Sequence, residues 1–319
     1  LQTKVFDMTF SNPIGVAAGF DKNSQAVAGL HHYGLGFAEV GTVTPKPQGG
    51  NPKKRIFRVL EEKALINRCG FNNIGIDSVV ETISKLGTSK PMLIGLNLGK
   101  NKETDHISSD YIVGLEKSQN LDSVDYLVIN LSSPNTPGLR DSQDKKNLEK
   151  LLSDVLGKMN DLCIKKPLLL KVAPDLNDTQ IKDIADVVTH KKCGEAKVSG
   201  IILTNTTIAR PKKENEDKSV YDEAGGLSGP PLRDMSTQVI SKFYKLTKGQ
   251  VPIVGVGGVS TGQDAYDKIK AGASLIQLYT SLAYEGPPVV NKIKRELVDL
   301  LDSDKLSSIE EAVGLDHRR

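Results

Sequence analysis

Short apolar runs alternate with longer amphipathic stretches along almost the whole chain. The runs fall at 14–18, 37–41, 92–98, 126–131, 168–172, 200–203, 253–256 and 275–278, between Gly, Pro, Asn, Ser or Thr. They are apolar at nearly every position rather than at alternate ones, which predicts strands covered on both faces, as in a parallel sheet. Between them, Leu148, Leu151, Leu152, Val155, Leu156, Met159 and Leu162 recur at helical spacing and form one apolar face. Ile181, Ile184, Val187 and Val188 repeat that pattern behind Asn177-Asp178, residue types suited to an N-cap. Val239, Ile240, Phe243 and Leu246 predict a third helix, and 289–301 the last large one. Eight strands alternating with helices predict a (β/α)8 TIM barrel; a doubly wound sheet needs only five or six and ranks second.

Two stretches interrupt the rhythm. Residues 42–73 are polar, contain Pro45, Pro47 and Pro52, and are too long for an ordinary βα loop. Residues 211–226 are charged and end in Gly225-Gly226, which predicts a mobile excursion after the sixth strand. In a barrel both lie at the C-terminal face, where active sites are built. Neither resembles a linker and no internal repeat is visible, so a single domain over residues 1–319 is expected.

Composition narrows the class. The chain has 319 residues, 38% of them hydrophobic and 25% charged, which excludes disorder, collagen and coiled coil. A net charge of +3 without a basic block argues against nucleic acid as partner. Cys69, Cys163 and Cys193 are far apart and form no CxxC, against a disulfide scaffold, a cysteine zinc site or a cysteine-ligated iron–sulfur cluster. His31, His32, His106, His190 and His317 show no metal-binding spacing, and no metal is expected. No apolar run approaches the ~18 residues of a membrane span. The chain begins at Leu1 rather than Met, so an upstream segment, processed or trimmed away, is expected.

Polar residues collect at the strand ends. Strand one ends in Ala17-Ala18-Gly19-Phe20-Asp21-Lys22, strand three in Asn97-Leu98-Gly99-Lys100, and strand four in Asn130-Leu131-Ser132-Ser133-Pro134-Asn135. Strand five ends in Lys171 and strand six in Thr204-Asn205-Thr206. Any one of these suits a turn. Asn or Lys at all five suits a planar heterocycle with alternating N–H and C=O edges, because an amide donates and accepts at once. No histidine stands at a strand end, which leaves Ser133, Lys22 or Lys171 to move protons.

Lys171 lies in an apolar run and admits two functions: a Schiff base with a carbonyl substrate, or a fixed cation beside a cofactor that becomes negative on reduction. Gly225-Gly226-Leu227-Ser228-Gly229 and Gly255-Val256-Gly257-Gly258-Val259-Ser260 are glycine-rich loops. The second lacks the third glycine of a dinucleotide fingerprint and follows strand seven, not strand one. In a barrel, loops seven and eight are the usual phosphate site, so these loops and Tyr279-Thr280-Ser281 predict a phosphate-bearing ligand.

These residues occur in segments that resemble one family. GVAAGFDKN (15–23), GTVTPKPQGGNPKKRIFRV (41–59), NRCGFNN (67–73), NLGKNK (97–102), NLSSPNTPGLR (130–140), LLKVAPDL (169–176), TNTT (204–207), GGLSGPPL (225–232), GVGGVSTGQDA (255–265) and QLYTSLAYEGP (277–287) are similar to the dihydroorotate dehydrogenases, in their order. The resemblance implies an FMN-containing barrel that oxidises dihydroorotate to orotate in pyrimidine biosynthesis. Ser133 stands where the soluble class carries a cysteine, which resembles the membrane-associated, quinone-reducing class (class 2). Cys69 belongs to a different motif. By resemblance, Ser133 takes the C5 proton while the C6 hydride passes to the flavin, with Phe71 and Thr136 flanking the serine. Asn67, Asn130, Asn135, Asn205 and Thr206 hold the pyrimidine and Lys22 its carboxylate. Ala17, Ala18, Gly19, Thr42, Asn97, Asn130 and Thr204 line the flavin ring, and Lys171 sits at its N1/C2 carbonyl edge. Ser228, Gly229, Gly257, Gly258, Tyr279 and Thr280 hold its phosphate.

Arg58 and Tyr279 correspond to the barrel side of the quinone site. The class attaches to a membrane through an amphipathic segment before its barrel, which this sequence does not contain. The implied location is the mitochondrial inner membrane, or else a bacterial cytoplasmic membrane. The competing readings are a phosphate-binding lyase using Lys171 as a Schiff base, and a silent barrel that only binds nucleotides.

Overall fold

The computed structural model describes residues 1–88, 90–210 and 218–318. Eight parallel strands close on themselves: β1 (Ile14–Val16), β2 (Phe37–Val43), β3 (Leu93–Leu98), β4 (Tyr126–Asn130), β5 (Leu168–Val172), β6 (Ala196–Leu203), β7 (Ile253–Val256) and β8 (Ala273–Leu278). Each pairs with the next, and β8 returns to β1 through Ile276↔Ile14 and Leu278↔Val16. The predicted (β/α)8 TIM barrel is therefore the fold, and each predicted apolar run coincides with one barrel strand.

The uniform apolarity of the strands has a simple cause. Their outward residues pack on helices such as Ile107–Ser118, Lys145–Asp161, Asp178–His190, Arg233–Thr247 and Pro288–Ser303. Their inward residues, among them Phe37, Tyr126, Val128, Leu169, Ile202, Val254 and Leu275, fill the barrel. Asn177 caps its helix as expected, accepting from the Gln180 amide while the Gln180 side chain accepts from the Asn177 amide. The barrel interior holds two aromatic rings only because glycine faces each. A Cβ on Gly95 would lie 2.1 Å from the Tyr126 ring, and one on Gly15 2.5 Å from the Phe37 ring.

Several elements depart from the sequence reading. A hairpin, Thr3–Val5 with Met8–Phe10, covers the N-terminal end of the barrel, and Phe10 meets Phe37 edge-on at 5.3 Å. β6 starts at Ala196 rather than near residue 200, because a two-residue strand, Lys192–Cys193, pairs back on it. Residues 42–73 are not all loop: Ile56–Val59 and Ala64–Asn67 form a hairpin, and Gly226–Ser228 joins it as a third antiparallel strand. This small sheet has its own core of Val59, Ala64, Ile66, Tyr221 and Leu227. Of the expected excursion at 211–226, Lys218–Tyr221 form a short helix and Gly226 opens the third strand, while residues 211–217 lie outside the described residues.

Candidate active site

A cleft of about 570 Å³ opens at the C-terminal ends of the barrel strands and is bounded by the small sheet. That is a size suited to a cofactor and a small substrate together. Ala17, Ala18, Gly19, Lys22, Thr42, Arg58, Asn67, Phe71, Asn130, Ser133, Asn135, Lys171, Thr204, Asn205, Thr206, Ser228, Gly229, Gly257, Gly258, Tyr279 and Thr280 all line it. Of the residues given a role by the resemblance, Asn97 and Thr136 do not. Asn97 is fully buried behind the wall, and Thr136 is buried in the turn beyond Ser133.

Asn97 ties the wall together from behind. Its Oδ1 accepts from Thr42 Oγ1 at 2.6 Å and Asn130 Nδ2 at 3.2 Å, while its Nδ2 donates to Glu39 Oε1 at 2.7 Å. Asn130 Nδ2 also donates to Thr42 Oγ1, and Asn130 Oδ1 accepts from Ser132 Oγ at 2.6 Å. Ser132 Oγ in turn accepts from Asn205 Nδ2 at 2.8 Å. A hydrogen-bonded chain thus runs from the barrel interior through β2, β3 and β4 to the end of β6.

Ser133 sits on the turn after β4, buried, and its Oγ accepts from the Asn135 amide at 3.2 Å. Arg140 clamps that turn: its Nε donates to the Ser132 carbonyl at 3.0 Å and an NH2 to the Thr206 carbonyl at 3.0 Å. Asp175 pairs with the same guanidinium at 2.8 Å and also accepts from the Thr207 hydroxyl. Arg140 and Asp175 lie inside quoted motifs but received no role in the sequence reading. Their signal was a charge of each sign inside a strand-end motif, Arg140 closing NLSSPNTPGLR and Asp175 lying within LLKVAPDL.

Two lysines enter the cleft. Lys22 Nζ donates to the Gly19 carbonyl, and burial pushes its ammonium below the ordinary lysine value, with Cys69 partly opposing that. Lys171 is 4% exposed and stands 3.6 Å from the carboxylate of Glu39, which is 0% exposed. Sequence reading missed Glu39, although an acid inside the apolar run FAEVGTV was a visible signal.

The far end of the cleft is lined by hydroxyls and glycines. Ser228 Oγ and Thr280 Oγ1 lie 2.8 Å apart and share a hydrogen bond. Gly258, at φ 71°, packs on the first turn of helix Arg233–Thr247, where a Cβ would come within 2.6 Å of the Arg233 backbone. Tyr279 donates from its hydroxyl to the Gly19 carbonyl at 3.3 Å, and burial pushes its phenol up to about 12. The buried hydroxyls of Thr204 and Ser281, both on the cleft wall, have no hydrogen-bond partner among the described residues. Buried polar groups are rarely left so, and these two fit a polar ligand such as a flavin.

A closed parallel barrel with this polar cleft at its C-terminal mouth defines a (β/α)8-barrel enzyme. The family model described as dihydroorotate dehydrogenase matches residues 1–301. The chain is 48% identical to the dihydroorotate dehydrogenase (quinone) of Rhodospirillum rubrum, covering all of this chain and 84% of that protein. It is also 48% identical to the mitochondrial dihydroorotate dehydrogenase (quinone) of Mus musculus, covering all of this chain and 80% of that one. A crystal structure of the Eimeria tenella enzyme in complex with ferulenol superposes with a TM-score of 0.93 at 41% identity, over 100% of this chain and 89% of that chain. The chain belongs to the dihydroorotate dehydrogenase family.

Proposed function

We infer that this protein is an FMN-dependent oxidoreductase that oxidises dihydroorotate to orotate and passes the electrons to a quinone. The observation that carries the reading is the convergence of Ser133, four asparagines and Lys171 on one cleft that ends in paired hydroxyls and glycines. Bound FMN supplies the hydride acceptor.

The protein's own groups do the rest. Asn67, Asn130, Asn135 and Asn205, with Thr206, hold the N–H and C=O edges of the pyrimidine, and Lys22 meets its carboxylate. Ser133 receives the C5 proton. Its hydroxyl is a weak base in water, so the site must favour its deprotonation as that proton arrives. Phe71 lines the same cleft and would help cover Ser133 from water, while Arg140 fixes the turn that carries it. Thr136 makes no hydrogen bond to Ser133 among the described residues, so a relay through it needs a bridging water.

Lys171 would face the flavin as the cation of the cleft, and Ala17, Ala18, Gly19, Thr42, Asn130 and Thr204 would support the ring, with Asn97 behind Thr42 and Asn130. Ser228, Gly229, Gly257, Gly258, Tyr279 and Thr280 hold the phosphate. Arg58 and Tyr279 form the barrel side of the quinone site; nearby, Ile56 and Leu60 are 53% and 68% exposed. The finer reading adds peripheral attachment to the mitochondrial inner membrane, supported by the mitochondrial names of the mouse, rice and Arabidopsis relatives. Among the described residues no helix is long and apolar enough to cross a membrane.

Purified protein should be yellow, release FMN on denaturation, and bleach anaerobically with dihydroorotate. Colourless protein that gains a borohydride-trapped substrate adduct on Lys171 would instead favour the lyase.

A further inference from the structure

Glu39 projects into the barrel from β2 and is wholly buried. A buried carboxylate is costly unless its oxygens are paired. Here each oxygen has its own amide: Asn97 of β3 donates to Oε1 at 2.7 Å, and Gln277 of β8 donates to Oε2 at 2.6 Å. Two different strands thus fix the carboxylate in position. Lys171 of β5 brings its ammonium to 3.6 Å from Oε1.

That distance marks an ion pair without a direct hydrogen bond of normal length. The Lys171 donors are therefore not consumed by Glu39, and Lys171 lines the cleft whereas Glu39 does not. From the cleft, the nearer charge is positive and the farther one negative. The field there is that of the pair rather than that of a bare cation. In a buried site such charges act far more strongly than in water.

We propose that Glu39 is a positioning residue that sets how strongly Lys171 favours the reduced flavin. This rests on the reading of Lys171 as the cation at the flavin edge. Glu39 anchors the lysine and at the same time offsets part of its charge, so the flavin meets a restrained electrophile. Removing the carboxylate charge while keeping its shape leaves the lysine's attraction for a negative flavin less opposed.

The test is the flavin midpoint potential of the holoenzyme, measured anaerobically for wild type, Glu39→Gln, Lys171→Met and the double variant. Glu39→Gln should favour reduced flavin about tenfold, equivalent to ~30 mV upward for a two-electron couple. Lys171→Met should move the potential down, and the double variant, which has lost both charges, should return towards wild type. Glu39→Asp keeps the charge and should stay closer to wild type than Glu39→Gln. Apoprotein titrated with FMN by fluorescence quenching gives a second readout, and the Gln variant should bind oxidised FMN within about tenfold of wild type.

A Glu39→Gln potential that stays or falls, while Lys171→Met falls, overturns the proposal and leaves the Lys171 reading standing. An unchanged potential in Lys171→Met overturns that reading and the proposal with it. An Asp variant displaced as far as Gln, or FMN binding weakened more than tenfold, shows that Glu39 acts through packing and also overturns it.

Discussion

Asn135 Nδ2 donates to the main-chain carbonyl of Asn67 at 3.1 Å, joining two walls of the cleft. Asn67 ends a strand of the small sheet, and Asn135 lies on the turn that carries Ser133. The contact spans 68 residues of chain and brings the small sheet against the turn that holds Ser133. It explains why the stretch 42–73 is long: it has to cross the barrel mouth and return.

Replacing Asn135 by Ala should weaken orotate binding by about 5- to 150-fold, from ~1–3 kcal/mol of lost hydrogen bonding. FMN content should not change, since Asn135 is not among the residues proposed to hold the cofactor. Spectral titration of the bound flavin with orotate measures the affinity. Protein purified without flavin would mean that the contact supports the whole mouth rather than the substrate.

Ser133→Ala should keep its flavin and bind orotate nearly as the parent does, if the asparagines and Lys22 carry binding as proposed. Flavin reduction by dihydroorotate should slow by at least the ~10²–10⁴-fold typical of general acid–base catalysis. Ser133→Cys should retain more activity than Ala, since a thiolate forms more readily than an alkoxide. Rapid-mixing measurement of flavin bleaching decides this. A rate within about tenfold of the parent across pH 6 to 10 would move the base to another residue, Lys22 first.

Lys268 is fully buried between helices Gly262–Lys270 and Arg233–Thr247, where its Nζ donates to the Arg233 carbonyl at 3.0 Å and Thr237 Oγ1 at 2.9 Å. Burial lowers its ammonium from an ordinary 10.5 to about 7, against the opposing pull of Asp264 and Asp234. Below pH 7 both folded and unfolded chains hold the proton, and the burial penalty is at its full value. Between 7 and 10.5 the unfolded chain binds more protons, so this group makes stability rise with pH. Calorimetry at pH 7 and pH 9 should therefore show a thermal midpoint that gains more, or falls less, in the parent than in Lys268→Met. Parallel pH profiles in the two proteins would show that Lys268 does not titrate in this window.

Much of this molecule was legible in one dimension. Each barrel strand could be found because burial on both faces leaves no polar position to alternate with, and its amphipathic helices because they have one wet side. The cleft residues were legible because a parallel barrel places all strand ends at one mouth, so Asn, Lys and Ser recurring after apolar runs must converge. The family resemblance rested on ten segments spread over the chain, among which the serine-bearing NLSSPNTPGLR was the most specific.

What stayed hidden depends on partners distant in the chain. The hairpin at Ile56–Val59 and Ala64–Asn67 is stabilised by a third strand about 160 residues later, Gly226–Ser228, so its local pattern is weak. Asn97 read as a wall residue, yet it faces Glu39 behind the wall, because a strand's pleat rather than its composition decides which side chain meets the cleft. Glu39 looked like one polar interruption in an apolar strand. Its role depends on Asn97, Gln277 and Lys171 meeting it from three other strands, and only barrel closure brings those four side chains within reach of one another.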